Sequence, residues 1–128
     1  MPKRNRRILL ADDDEIVQEA VQYAAEEHGH HMIRAFTARA ALESALITQP
    51  DMIVLDIGLP DGDGRDVLAK LKASPRTARI PVLVWSAREN SDSDSRIALE
   101  LGAEDYLEKS YAELLIGKVE RILLRLGK

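Results

Sequence analysis

The sequence predicts an α/β domain: a five-stranded parallel sheet in the order 2-1-3-4-5, doubly wound, with helices on both faces. Three observations predict it. Strand-like and helix-like stretches alternate from end to end, the pattern of a parallel sheet joined by helical crossovers. Ile8–Ala11, Met52–Leu55 and Val82–Trp85 are apolar throughout, as strands covered on both faces should be. Met32–Phe36 is more mixed, which suits an edge and puts the second strand outside the first.

The elements follow in order. Ile8–Ala11 is a short apolar run after charged residues and forms the first strand. Asp14 is placed to cap the next helix. Glu15 to His28 repeats with helical period, with Val17, Ala20, Val21, Ala24 and His28 on one face, and Gly29 ends it. Met32–Phe36 is the second strand. Thr37 caps a helix whose inner face carries Ala38, Ala41, Leu42 and Ala45. Pro50-Asp51 breaks the chain before the third strand, Met52–Leu55. Asp56 to Gly64 is too rich in turn formers for a helix and reads as a loop, with Asp61 and Asp63 as turn formers.

Arg65–Ala73 is helical, with Val67, Leu68 and Leu71 inward, and Ser74-Pro75 stops it. Pro81 opens the fourth strand. Glu89–Leu101 can form a helix, although Asn90–Ser95 is a weak helix former, and Gly102 ends it. Tyr106-Leu107 belongs to a short fifth strand. The last helix runs from about Tyr111 to Leu126, with Leu115, Val119, Ile122 and Leu126 aligned. Ile116 and Leu123 flank that stripe, where they either widen the buried face or form a partner face.

Composition bounds the function. The 128 residues fit one domain, residues 1–128, with residues 1–6 a basic flank. A hydrophobic fraction of 45% supports a buried core. The absence of cysteine excludes disulfides and thiol chemistry. No apolar run is long enough for a membrane span or a secretion signal, so a cytoplasmic location is expected. A net charge of −4 and a single short basic run, Lys3-Arg4-Asn5-Arg6-Arg7, argue against direct nucleic-acid binding. The spacing of His28, His30 and His31 fits no regular metal site, and solvated loop histidines are expected there.

Polar residues stand where four strands end: Asp12 and Asp13, Asp56, Ser86, and Lys109. In a parallel sheet all strand C-termini share one edge, and ligands bind at the point where strand order reverses. Three carboxylates gathered there repel one another unless a cation neutralises them, and an all-oxygen site of this kind suits Mg²⁺. A lysine and a hydroxyl beside them can grip phosphoryl oxygens. The set supplies the parts of an aspartyl phosphate site: nucleophile, metal, ammonium and hydroxyl. Trp85, directly before Ser86, reads as core.

Asp12-Asp13 after an apolar strand, Asp56-x-x-Leu59-Pro60-x-x-x-Gly64, Ser86-Ala87 and Asp105-Tyr106-Leu107-x-Lys109 together resemble the receiver domains of two-component signalling. The likeness, to single-domain chemotaxis-regulator-like receivers with a flavodoxin-like fold, runs from about Arg7 to Leu126. It implies that Asp56 is the phosphoacceptor, fed by a histidine kinase or histidine phosphotransfer protein. It implies Asp13 as a direct Mg²⁺ ligand, Asp12 acting largely through water, and the Gly58 backbone carbonyl completing the set with Asp56. Lys109 would contact the phosphoryl group, and Ser86 and Tyr106 would be the switch residues. The Leu59-Pro60 turn and Gly64 would shape the loop. Arg88, two residues after Ser86, is placed to modulate access of the hydrolytic water.

Such a protein is a switch and not an enzyme, though it assists its own phosphorylation and dephosphorylation, and it alters the surface of the fourth helix, fifth strand and fifth helix to control a downstream protein. One departure stands out. The family has proline after the lysine, with a cis bond between them; here Ser110 follows Lys109, which predicts a trans bond or a strained cis one. A phosphate-independent binding scaffold of the same fold is the competing reading. An aspartyl-nucleophile phosphatase is disfavoured because Asp56-Ile57-Gly58 lacks a second acid.

Overall fold

The computed structural model describes residues 5–87 and 91–128. The elements are β1 (Arg7–Ala11), α1 (Glu15–Glu27), β2 (His31–Ala35), α2 (Ala38–Thr48), β3 (Met52–Leu55), β4 (Gly58–Leu59), β5 (Gly62–Asp63), α3 (Gly64–Ala73), β6 (Val82–Ser86), α4 (Ser91–Glu100), β7 (Asp105–Glu108) and α5 (Ala112–Arg125). β1, β2, β3, β6 and β7 pair in parallel in the order β2-β1-β3-β6-β7, the expected 2-1-3-4-5 order of a flavodoxin-like sheet. β4 and β5 form a small antiparallel pair inside the stretch read from sequence as a loop.

Side-chain alternation along the strands sorts the core into two layers. Ile8 and Leu10 of β1 face one side with Val21, Ala24 and Ala25 of α1 and Leu115, Ile116 and Val119 of α5. Leu9 and Ala11 face the other, with Ala41 and Ala45 of α2, Leu68 and Leu71 of α3 and Ala98 of α4. Asp14 caps α1, accepting from the Ile16 and Val17 N–H groups, and Thr37 caps α2, accepting from Ala40 N–H. Asp63 caps α3, while Asp61 accepts from Ala38 and Arg39 N–H at the start of α2. Those two donors hold the Asp61 carboxyl below the usual carboxylate range.

Three expectations about faces are corrected. Ile116 and Leu123 are buried, so they widen the core stripe of α5 and leave no partner face of their own, whereas Leu126 is exposed. Ala20 is exposed and Gln18 takes the inward position on α1, because α1 packs with its 18–21–25 ridge toward the sheet. His31 is exposed as expected, but His30 is buried and His28 is only partly exposed: His30 Nε2 meets Glu120 at 2.8 Å, and His28 lies between Glu113 at 2.9 Å and Glu120 at 3.1 Å. Sequence spacing could not show that α5 brings two glutamates to them. Among the described residues, no helix is long and apolar enough to cross a membrane.

Candidate functional site

Register brings the polar strand ends together. Ala11 pairs with Leu55 across β1 and β3, so Asp12 and Asp56 leave neighbouring strands at the same level. Asp56 N–H donates to Ala11 O at 3.0 Å and Asp12 N–H to Ala35 O at 3.0 Å, which extends both strands by one residue. On the other side, Leu55 pairs with Val84 and Ser86 with Glu108, so Ser86 stands one step and Lys109 two steps further along the same rim. Lys109 N–H donates to Ser86 O at 2.8 Å.

The side chains converge on Asp56. Its Oδ1 accepts from Ser86 Oγ at 3.0 Å and from Gly58 N–H at 3.2 Å, and its Oδ2 lies 3.0 Å from Lys109 Nζ. Lys109 Nζ also lies 2.6 Å from Asp12 Oδ2. Burial alone would lower the Lys109 pKa, but the two carboxylates outweigh it and the net shift is upward, so the ammonium stays charged. Asp12 Oδ1 accepts from Asp14 N–H at 2.9 Å, which fixes the Asp12 carboxylate on the rim. Asp12, Asp13 and Asp56 each present an oxygen within 4.8 Å of the others.

That donor set fits a magnesium ion. Oxygens around an octahedral Mg²⁺ lie roughly 3.0–4.2 Å apart, given bonds of about 2.0–2.1 Å, so the three acids need only a small closure. Two of them are buried, and a buried pair of carboxylates with one lysine between them still carries net negative charge. Gly58 touches Asp56 through its N–H. Glycine at position 64 is required for space: a Cβ there would stand 2.6 Å from Ile57 Cα and overlap the Asp56 carbonyl oxygen.

The structure therefore gathers Asp12, Asp13, Asp56, Ser86, Lys109 and Gly58 at one place. Tyr106 lies beside them, half-buried on β7, its hydroxyl donating to Ala87 O at 3.4 Å. Burial first, then Asp94, Glu108 and Asp56, raise its pKa and keep that proton in place. Arg88 lies outside the described residues. The peptide bond after Lys109 is not cis, and Lys109 reaches Asp56 without it.

Sequence reading missed Gln18. Its Nε2 lies 3.1 Å from Leu10 O, 2.9 Å from Asp12 O and 3.0 Å from Ala35 O, so one buried amide ties α1 to the ends of β1 and β2. A polar residue three before Val21 and seven before Ala25 on the inward ridge was the available signal.

A family model for the response regulator receiver domain matches residues 8–119. The chain is 36% identical over 121 residues to the KDP operon transcriptional regulatory protein KdpE of Escherichia coli, covering 92% of this chain and 51% of that protein. It thus spans about half the length of that relative. Among solved structures it resembles the Francisella response regulator 1452 receiver domain, with a TM-score of 0.85, 31% identity, and coverage of 97% of this chain and 100% of that one. It also resembles the Mn²⁺-bound form of response regulator Rcp1, with a TM-score of 0.75, 33% identity, and coverage of 92% and 91%. Matched over most of its length in sequence and in fold, the chain belongs to the response regulator receiver domain family of two-component systems.

Proposed function

We propose that this chain is a Mg²⁺-dependent phosphorylation switch that takes a phosphoryl group on Asp56 from the phosphohistidine of a histidine kinase or phosphotransfer protein. One observation carries the reading: an ammonium and a hydroxyl contact opposite oxygens of the Asp56 carboxylate, with two further acids on the same rim. An Asp56 oxygen attacks phosphorus, the P–N bond to the donor imidazole breaks, and an acyl phosphate remains. Lys109 offers its charge to one phosphoryl oxygen and Ser86 a hydrogen bond to another. Asp13, Asp12, Asp56 and the Gly58 carbonyl would hold the Mg²⁺. When bound, the ion offsets the acids' repulsion and the charge that develops on the phosphoryl group. The Mn²⁺-bound relative Rcp1 supports a divalent ion in this fold.

The same groups carry the switch. A phosphoryl group extends beyond Asp56 and gives Ser86 a charge-assisted partner present in only one state. As Ser86 moves toward it, Tyr106 exchanges its contact with Ala87 O for the vacated space, and the surface of α4, β7 and α5 changes for a downstream protein. The chain assists its own phosphorylation and hydrolysis and turns over no separate substrate.

Acetyl phosphate with Mg²⁺ tests the reading. Intact mass should show one added phosphoryl group on the native chain and none on Asp56→Asn, and chelating the metal should abolish it. A native chain that takes up nothing leaves the phosphate-independent scaffold, and an equal gain by Asp56→Asn moves the acceptor elsewhere. On phosphorylation, amide resonances between Ser91 and Tyr106 should shift; unchanged resonances would remove the switch.

A further inference from the structure

Lys109 must hold a charged head at the end of a flexible four-carbon stem, one residue beyond the end of β7. Three groups hold that head: Asp12 Oδ2 at 2.6 Å, Asp56 Oδ2 at 3.0 Å and the ring of Trp85, whose centroid lies 5.6 Å from Nζ. The ring is fixed. Trp85 is 3% exposed, pairs with Leu107 of β7, and shares a core layer with Leu115, Ile116 and Val119 of α5. Its Nε1 is buried with no hydrogen-bond partner. An aliphatic residue would fill the layer without stranding a donor, so packing does not account for an indole here. A cation within about 6 Å of an indole face does account for it, because that face attracts an ammonium more strongly than any other side-chain ring.

The three contacts differ in availability. Both carboxylates are the groups that a divalent ion or a phosphoryl group would engage; the ring is not. We propose that Trp85 is a positioning residue for Lys109, its ring face keeping the ammonium at the acceptor when the carboxylates are otherwise engaged. This rests on the reading of Asp56 as phosphoacceptor.

The full chain carrying Trp85→Phe or Trp85→Leu, each alone and with Lys109→Met, tests it on two readouts. The first is the rate of phosphorylation by acetyl phosphate at saturating Mg²⁺. The second needs no phosphate: the NMR separation of the two Lys109 Hε protons at saturating Mg²⁺, with the carboxylates engaged, which a fixed ring face spreads and free rotation collapses. Trp85→Leu should slow phosphorylation about tenfold, the equivalent of a partly desolvated cation–π contact. Trp85→Phe, which also shrinks the core but keeps a face, should stay within about threefold. In the Lys109→Met background the two variants should react alike. The Hε separation should survive in Phe and vanish in Leu. If the Leu variant does not fold, Trp85→Met, closer in volume, takes its place. Equal slowing by Phe and Leu, a difference that persists without Lys109, or a separation that survives in Leu each overturns the proposal. A native chain that takes no phosphoryl group sinks the reading of Asp56 instead, and the Hε readout then decides the Trp85 contact alone.

Discussion

Gly64→Ala isolates how tightly Asp56 is built into its loop. Gly64 N–H donates to Ile57 O at 2.8 Å, which lays the start of α3 against the peptide that follows Asp56. A Cβ at this position would stand 2.6 Å from Ile57 Cα. Carbon atoms meet at about 3.5 Å, so the two backbones would have to part by roughly 0.9 Å. Overpacking of this kind costs about 1–3 kcal/mol, and the upper end applies because both sides are main chain. Replacing a glycine returns about 0.4–1 kcal/mol through the unfolded chain, which leaves a net loss of about 2 kcal/mol. For a domain of this size that lowers Tm by about 8 °C. Circular dichroism on heating reads it, with Gly58→Ala as the control, since a Cβ at Gly58 meets nothing within 4 Å. The backbone that must move carries Asp56, so acetyl phosphate labelling should slow as well. A Gly64→Ala chain melting with the Gly58→Ala control would refute this packing.

Two further changes probe the surroundings. Gln18→Leu removes the buried amide donor from the carbonyls of Leu10, Asp12 and Ala35, of which Ala35 O keeps the Asp12 N–H, and should cost about 1–3 kcal/mol in a urea titration; a loss below half a kilocalorie would mean that water replaces the amide. His28 faces Glu113 and Glu120, which it shares with His30, and its pKa is raised, chiefly by Glu113, with burial opposing. A raised folded-state value means the contribution is full below about pH 6.5 and fades as pH rises through the folded value. Stability should therefore fall by no more than about 1 kcal/mol between pH 6 and pH 8, and His28→Gln should flatten that slope; an identical slope in the variant would assign it to other groups.

Much of this protein was legible as a pattern. Strands buried on both faces must be apolar throughout, so Ile8–Ala11, Met52–Leu55 and Val82–Trp85 announced a parallel sheet. A parallel sheet puts every strand C-terminus on one edge, so the positions of Asp12, Asp13, Asp56, Ser86 and Lys109 along the chain already imply that they lie near one another. Local chemistry gave the caps: Asp14 and Thr37 serve the N–H groups immediately after them.

The order of the strands, the rim on which the acids meet and the local ends of the helices follow from periodicity and from bonds between near neighbours, and so could be read along the chain. Packing alone sets that Gln18 and not Ala20 turns inward, that Glu113 and Glu120 claim His28 and His30, and that Trp85 lies beneath Lys109. Those contacts join residues 24 to 92 positions apart or depend on how far a helix is rotated against the sheet, and neither distance along the chain nor spacing within one element fixes that rotation.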